Sequence, residues 1–433
     1  MCGSLLITAL AVAAIPVFVL VDFAVASARG WSLETRFDRT FIVGAAVILV
    51  ALCLALATRS GRGTLWRLSS RLRLGIASSL VCLALAELVL QVAVQPDESY
   101  RRFHRKPPGH HYVFHPDSSI FPGVSGEAHY RTNEGGLRAP ARPSREEAER
   151  IVCIGGSTTI CTYLDDSEAW PRALMERLNG GLPEPRYWVG NAGKNGYSTT
   201  HHLRLLEDSA FLQEMDTAIF LVGVNDLSLA LTGKKVKLRD GLPPLWRRTA
   251  LLELLARSIA LIQARERNEV EDDGGFSYVA RRERRQRGPQ VTALPDLGPA
   301  LRRHEERIRS MIERTREAGV RPIFLTQPVL WSESPTERTE RLVWFGYVKD
   351  QGYLTVPLLR KGMDQFNERL LEICAELGVE VVDLSSMNAV EAYFYDDCHF
   401  TEAGAREVAR LIHLHLSGVE REHPAPTTAA QLR

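Results

Sequence analysis

A four-residue apolar run, Ile151-Val152-Cys153-Ile154, leads directly into Gly155-Gly156-Ser157-Thr158-Thr159. No other stretch of this chain limits the fold so tightly. Apolar residues at consecutive positions suit a strand buried on both faces, as in a parallel sheet. Two glycines then allow a sharp turn, and the serine opens a helix. Such a turn lifts a hydroxyl out of the sheet edge, where a substrate can reach it. A Gly-Gly-Ser is also compatible with an ordinary turn or a loop that grips phosphate. Its meaning therefore depends on what else the fold brings to the same edge.

Strand and helix patterns alternate from there on. Residues 187–191, 217–222, 322–326 and 379–384 read as four further strands. Residues 168–178, 202–211, 301–318, 363–377 and 402–416 read as helices. Trp170, Leu174 and Leu178 recur at four-residue steps, and Leu301, Ile308, Met311 and Ile312 share one face among many charges. Gly319 and Gly378 close the helices before them. Strands separated by helices predict a five-stranded parallel sheet covered on both faces, a three-layer α/β sandwich.

Three apolar segments, 5–21, 41–57 and 74–94, precede this domain. Each approaches or reaches the roughly 20 residues that span a bilayer. No lysine or arginine precedes the first and two more follow it, so it reads as a membrane helix and not a cleaved leader. Asp22 and Glu87 lie in or at the edge of these spans, with an interfacial or helix-packing role expected. Arg59, Arg62, Arg67, Arg71 and Arg73 make the second loop look cytoplasmic. Arg29, Arg36, Arg39, Arg101, Arg102, Arg105 and Lys106 argue the other way, and the charge rule leaves the topology open.

The expected organisation is a three-helix transmembrane anchor over 1–95, an irregular lead-in over 96–149, a catalytic domain over 150–418 and a loose tail over 419–433. Residues 233–298 interrupt the domain. Within them 246–265 is helical with an apolar side, readable as a lid or as a segment resting on membrane. The acids and the basic run Arg281, Arg282, Arg284, Arg285 and Arg287 that follow predict a mobile, solvated loop. A second interruption, 332–359, carries Trp344, Phe345, Tyr347 and Tyr353, which line a substrate cleft or form a satellite core.

Composition excludes little. A net charge of +1 gives no basic footprint, so no nucleic-acid partner is expected. Seven cysteines show no CxxC pair or Cys/His metal spacing, and His110, His111, His115 and His129 fit no ligand set. Neither metal nor organic cofactor is expected. Cys398 reads as structural.

Four short blocks fall after predicted strands or before the last helix: Ser157; Asn191-Ala192-Gly193-Lys194-Asn195-Gly196; Gly223-Val224-Asn225-Asp226; and Asp396-Asp397-Cys398-His399. Ligand sites of open parallel sheets lie at the carboxyl ends of the strands, so the four are expected to converge. Serine, histidine and carboxylate are the parts of a nucleophilic acyl-transfer site. If the last block turns into a helix, positions i and i+3 share a side, which favours Asp396 over Asp397 as the acid that orients His399. Asp397 is then a helix cap or a solvent contact. Backbone amides of Ser157 and Gly196 and the side-chain amide of Asn225 are the candidate oxyanion donors, glycine at 196 permitting close backbone approach. Asp226 is expected to brace its loop.

These blocks resemble the SGNH (GDSL-like) hydrolase family, whose members supply serine, glycine, asparagine and histidine in this order, here Ser157, Gly196, Asn225 and His399. The resemblance covers about 150–416. One departure is Gly156, where many members carry aspartate. The segment Thr132-Asn133-Glu134-Gly135-Gly136-Leu137-Arg138 resembles the lead-in of membrane-tethered members; Arg138 would make a salt bridge or bind an anionic substrate group. The resemblance implies a flavodoxin-like domain and a serine-dependent ester hydrolase working through a covalent acyl-enzyme. With the membrane segments, the expected partners are the bilayer and an O-acylated envelope glycan or lipid, the protein being multi-pass in the cell membrane with its catalytic domain extracytoplasmic. An O-acyltransferase using the same residues and a non-catalytic glycan-binding module are the alternatives.

Overall fold

A computed structural model of the protein describes residues 111–236 and 276–418 and a few isolated positions outside them. The chain divides into two compact units, Met1–Pro96 with Gly241–Val270, and Asp97–Asp240 with Glu271–Arg433. The second holds the main sheet. The three expected membrane segments, apart from Ser78 and Cys82, the 246–265 helix and the 419–433 tail lie outside the described residues. Among the described residues no helix is long and apolar enough to cross a membrane.

The elements run β1 (His111–Phe114), β2 (Ala128–Arg131), β3 (Glu149–Gly155), α1 (Ser157–Ile160), α2 (Trp170–Asn179), β4 (Tyr187–Asn191), α3 (Thr199–Leu206), α4 (Ser209–Leu212), β5 (Thr217–Leu221), α5 (Val224–Thr232), α6 (Phe276–Arg287), β6 (Gln290–Val291), α7 (Gly298–Glu317), β7 (Arg321–Leu325), α8 (Glu337–Leu342), β8 (Tyr347–Val348), β9 (Gly352–Leu354), α9 (Val356–Leu377), β10 (Glu380–Val382) and α10 (Glu402–Leu416). The main sheet has the order β10-β7-β5-β3-β4 and is parallel throughout. Counted along the domain this is 2-1-3-4-5, the flavodoxin-like order, which puts a topological switch point beside β3. Helices α2 and α10 pack together, as do α7, α3 and α9.

The central strands are near-continuous apolar runs because both faces are covered. Ile151, Val152, Cys153 and Ile154 are buried, as are Ala218, Ile219, Phe220 and Leu221. The lead-in joins this core: β1 and β2 form an antiparallel hairpin, and Phe121, Val124 and Leu137 pack into the main cluster.

Three expectations are corrected. The helix read over 202–211 is two, α3 and α4, because the Asp208 carboxylate accepts the Phe211 N–H and starts a new turn. The helix read from 363 begins at Val356, with Pro357 in its first turn. The basic run is no solvated loop but lies within α6. Arg282 is buried there and donates to the carbonyls of Leu342, Ile120 and Tyr395. The aromatic stretch 332–359 forms a second core around Trp331, Phe345, Leu354, Leu359 and Phe366, which also takes in Cys398.

Close packing at the end of β3 fixes Gly155. A Cβ there would fall on Thr159 Oγ1 and lie 2.6 Å from the Leu221 carbonyl oxygen of the neighbouring strand. Gly155→Ala is expected to cost about 3 kcal/mol, since neither atom sits on a flexible tip. A lowered urea midpoint checks this; a wild-type midpoint would contradict it.

Candidate active site

Ser157 stands at the start of α1, immediately beyond β3, and is half-buried. Its neighbour Gly156 lies under the Asn225 carboxamide, so that a Cβ at 156 would be 2.5 Å from Asn225 Nδ2 and 3.1 Å from the Tyr197 carbonyl oxygen. A side chain at 156 would therefore require the Asn225 carboxamide to move. Asn225 Nδ2 donates to that same Tyr197 oxygen at 2.8 Å. One contact set thus joins three of the four blocks.

Gly196 has φ +74°, and nothing lies within 4 Å of where its Cβ would be. Glycine suits the left-handed backbone there, and the side where a Cβ would stand is open. Among the described residues, the N–H groups of Ser157 and Gly196 donate to no protein acceptor. The second Asn225 Nδ2 proton is likewise unused.

The fourth block is a tight turn closed by a Phe394–Phe400 bridge and a Tyr395 N–H bond to the His399 carbonyl at 3.1 Å. Asp396 Oδ1 accepts the N–H groups of Cys398 and His399 at 3.0 and 2.9 Å. His399 Nδ1 lies 2.9 and 2.7 Å from the two carboxylate oxygens of Asp396. Aspartate and histidine three apart do meet. An aspartate-centred turn brings them together, not a helical face, since α10 starts only at Glu402. Trp344 Nε1 completes the carboxylate shell at 2.9 Å from Oδ2. Burial pushes the Asp396 pKa up, but the His399 charge and these hydrogen bonds outweigh it and hold it below the usual carboxylate range.

Tyr395 stacks on the His399 imidazole, with centroids 5.6 Å apart and planes 9° apart. It also lies 6.4 Å from Tyr163, which follows α1. Thr158 Oγ1 sits 3.4 Å from Gln327 Oε1 beyond β7, and the Leu330 N–H bonds the Asp397 carbonyl. The loops of Ser157 and of Asp396–His399 are thereby both tied to the stretch that follows β7. Ser157 Oγ makes no hydrogen bond among the described residues, to His399 or to any other group. Without ligand such bonds are commonly long and tighten when substrate binds.

Residues 153–407 match the model of the GDSL-like Lipase/Acylhydrolase family, more than half of the chain.

The chain belongs to this family.

It is an enzyme that hydrolyses ester bonds. Solved structures similar to it include an alpha/beta hydrolase enzyme from the metagenome of Lake Arreo, Spain, 14% identical, the match covering 64% of this chain and 98% of that one at a TM-score of 0.37. The acetylxylan esterase from Geobacillus stearothermophilus is 18% identical, with 63% and 95% covered and a TM-score of 0.36. The lipase/acylhydrolase from Enterococcus faecalis is 16% identical, with 62% and 96% covered and a TM-score of 0.36. No curated protein matches the chain.

Around the acylhydrolase site several residues do work that their sequence positions did not announce. Asp397 is neither a cap nor a solvent contact. It is fully buried, accepting from Trp331 Nε1 at 2.7 Å and from the N–H groups of Trp344 and Phe345 at 2.9 and 3.2 Å. Burial first, and the adjacent Asp396 charge second, push its pKa up to about 6. Arg138 binds no substrate group. It is buried, pairs with Asp166 at 2.7 Å, and donates to the carbonyls of Ile160, Cys161, Leu164 and His129. Its guanidinium satisfies the orphan carbonyls where α1 ends, fixing the helix that carries Ser157. Asp226 braces its loop as expected, accepting the Thr199 N–H and hydroxyl at 3.2 and 2.5 Å.

Asp396, Cys398 and His399 offer carboxylate, thiol and imidazole within 4.8 Å of one another, the shape of a metal cluster. The Asp396 lone pairs are already met by Cys398 N–H, His399 N–H, His399 Nδ1 and Trp344 Nε1, so the group suits proton handling better than ion holding.

Arg138→Met should lower unfolding stability by about 3 kcal/mol or more, because several buried carbonyls lose their donor together. A loss below about 1 kcal/mol in urea titration would contradict the capping role. For Asp397 the sign follows from its raised pKa. The folded protein binds this proton more tightly than the unfolded chain, so this group's contribution to stability grows as pH falls through about 6 towards the usual carboxylate range. Wild type should therefore gain stability relative to Asp397→Asn between pH 7 and pH 5, read as the difference in urea midpoints. A constant or opposite difference would contradict it.

Proposed function

We propose that the protein is a serine hydrolase that cleaves a carboxylic ester through a covalent acyl-enzyme. Ser157 is the nucleophile, His399 the general base, Asp396 the residue that orients the imidazole, and the N–H groups of Ser157 and Gly196 with Asn225 Nδ2 form the oxyanion hole. The observation that carries this reading is the Asp396–His399 Nδ1 pair at 2.7 Å, which leaves Nε2 as the ring nitrogen able to take a proton.

In this reading Ser157 Oγ attacks the ester carbonyl carbon while Nε2 takes its proton. The carbonyl oxygen becomes an oxyanion and receives the three unused donors. Collapse of the intermediate breaks the C–O bond, and the imidazolium returns its proton to the departing alcohol. A water then attacks the acyl-serine with Nε2 again as base, releasing the acid and restoring Ser157. Serine needs this base because its hydroxyl is a poor nucleophile at neutral pH. The buried Asp396 carboxylate stabilises the imidazolium formed at each step.

The apolar segments 5–21, 41–57 and 74–94 anchor the enzyme as a multi-pass protein of the cell membrane, their lengths being close to a bilayer span. The arginines of the second loop support a cytoplasmic loop there and an extracytoplasmic hydrolase domain. The substrate class proposed is an O-acyl ester of an envelope glycan or a lipid.

A fluorophosphonate probe tests the nucleophile. Labelling at Ser157 that disappears in Ser157→Ala supports the reading, and a folded wild type that takes no label overturns it. Ser157→Ala and His399→Ala should each abolish turnover with the fold kept. Asn225→Ala should lower kcat by about a hundredfold with KM little changed, the loss of one oxyanion donor being worth about 3 kcal/mol. A raised KM at full kcat would make Asn225 a substrate contact instead. Acid released in water without any acceptor supports hydrolysis; release that requires a sugar hydroxyl would replace it with acyl transfer.

A further inference from the structure

We propose that Tyr278 and Arg282, both on α6, are positioning residues that hold the His399–Asp396 pair in the geometry its proton transfer needs. The inference rests on the assignment of His399 as the base, and it gives the interruption of the domain a part in the active site.

The two residues are four apart on one helix, so their side chains leave the same face. Both are buried, although α6 is otherwise crowded with charge. Arg282 makes three hydrogen bonds, all to backbone carbonyls: Nε to Leu342 at 3.1 Å, Nη1 to Ile120 at 2.9 Å and Nη2 to Tyr395 at 3.0 Å. These belong to the end of α8, the lead-in and the catalytic turn. Tyr395 is the residue before Asp396, and its own N–H closes that turn on the His399 carbonyl. Arg282 thus holds the stem of the turn from outside. Arg285, three positions further, donates to the carbonyls of Phe345 and Leu354 at 2.5 and 2.6 Å and fastens the same helix to the second core. Burying a guanidinium is costly unless its N–H groups are met, so each bond resists sliding of α6.

Tyr278 uses that fixed helix to reach the imidazole. Its ring stands 6.4 Å from the His399 ring at 75°, and 6.0 Å from Trp344 at 88°. Trp344 is the donor to Asp396 Oδ2, so Tyr278 touches a neighbour of each member of the pair as well as the imidazole itself. Phe121 at 4.9 Å and Tyr163 at 6.0 Å pack on its remaining sides. The imidazole is then bounded by Tyr395 on its face, Tyr278 edge-on and Asp396 at Nδ1. A single hydrogen bond to Asp396 would still let the ring pivot about it; two aromatic walls remove that freedom. The same walls keep water from Asp396, which has no exposed surface. Misplacing a catalytic group by about 1 Å can cost a hundredfold in rate, so such a wall is worth having.

The test measures kcat and KM with 4-nitrophenyl acetate from pH 5.5 to 9 on the full chain. The variants are Tyr278→Phe, Tyr278→Leu, Tyr278→Ala and Arg282→Lys, each checked by circular dichroism and urea midpoint. Tyr278→Leu keeps most of the apolar volume and guards against an Ala variant that fails to fold. Tyr278→Leu should lower kcat about tenfold or more with KM within threefold, while Tyr278→Phe restores most of the rate. The downfield Nδ1–H proton resonance of the Asp–His pair should broaden or shift in Tyr278→Leu and in Arg282→Lys. A folded Tyr278→Leu with kcat within twofold of wild type and an unmoved resonance would overturn the proposal. So would a change confined to KM, which would make Tyr278 a substrate contact. If His399→Ala retained turnover, the base assignment itself would fall. If His399→Ala is dead and the Tyr278 variants are not, only the positioning role fails.

Discussion

Two carboxylates lie side by side in one turn with no exposed surface, and the site is built around keeping both of them there. A buried carboxylate is tolerable only if donors replace the water it has lost. Asp396 receives His399, Trp344 and two backbone N–H groups; Asp397 receives Trp331 and two more. Every donor to Asp397, and the tryptophan donor to Asp396, comes from the excursion after β7. That excursion therefore sets the surroundings of both acids. The two acids end with opposite shifts, Asp396 held down by its imidazole and Asp397 pushed up towards neutrality. With a pKa of about 6 Asp397 is still mostly ionised at pH 7, so its three hydrogen-bond donors, and not protonation, make the second buried charge tolerable there.

The nucleophile side solves a different problem, that of backbone at close quarters. β3, β5 and the β4 loop crowd so tightly that a Cβ at Gly155 would fall on Thr159 Oγ1 and one at Gly156 would lie 2.5 Å from Asn225 Nδ2, while Gly196 takes a left-handed φ with open space beside it. Asn225 lies across Gly156 and is tethered to the Tyr197 carbonyl, so its carboxamide is held before any substrate arrives. Preorganised donors of this kind need no reorganisation as charge develops. Arg138 holds the far end of α1, and through it the lead-in hairpin becomes part of the frame of Ser157.

Much of this was legible in the chain. The five strands could be read because parallel strands buried on both faces appear as unbroken apolar runs, and α10 has the bounds read from the sequence, 402–416. The four blocks could be placed because each follows a strand or precedes that last helix. What stayed hidden depends on partners distant in sequence. Arg138 looked like a salt-bridge residue, yet most of its bonds go to carbonyls, which any residue type supplies. Asp397 looked exposed because nothing local says that Trp331 and Trp344 will reach it. The basic run of α6 looked solvated because charge was counted along the chain, whereas burial is decided across it. Turn chemistry, not helical spacing, joins Asp396 to His399, so the pairing read from an i, i+3 spacing forms by a different geometry.

The central claim is that Ser157 and His399 act on one substrate carbon, although no hydrogen bond joins them directly. A crystal structure of the fluorophosphonate adduct addresses this most directly. The account predicts phosphorus bonded to Ser157 Oγ, a phosphoryl oxygen within about 3 Å of the N–H groups of Ser157 and Gly196 and of Asn225 Nδ2, and His399 Nε2 within hydrogen-bond reach of the remaining oxygen. An adduct on another residue, or one on Ser157 with His399 still out of reach, would contradict it.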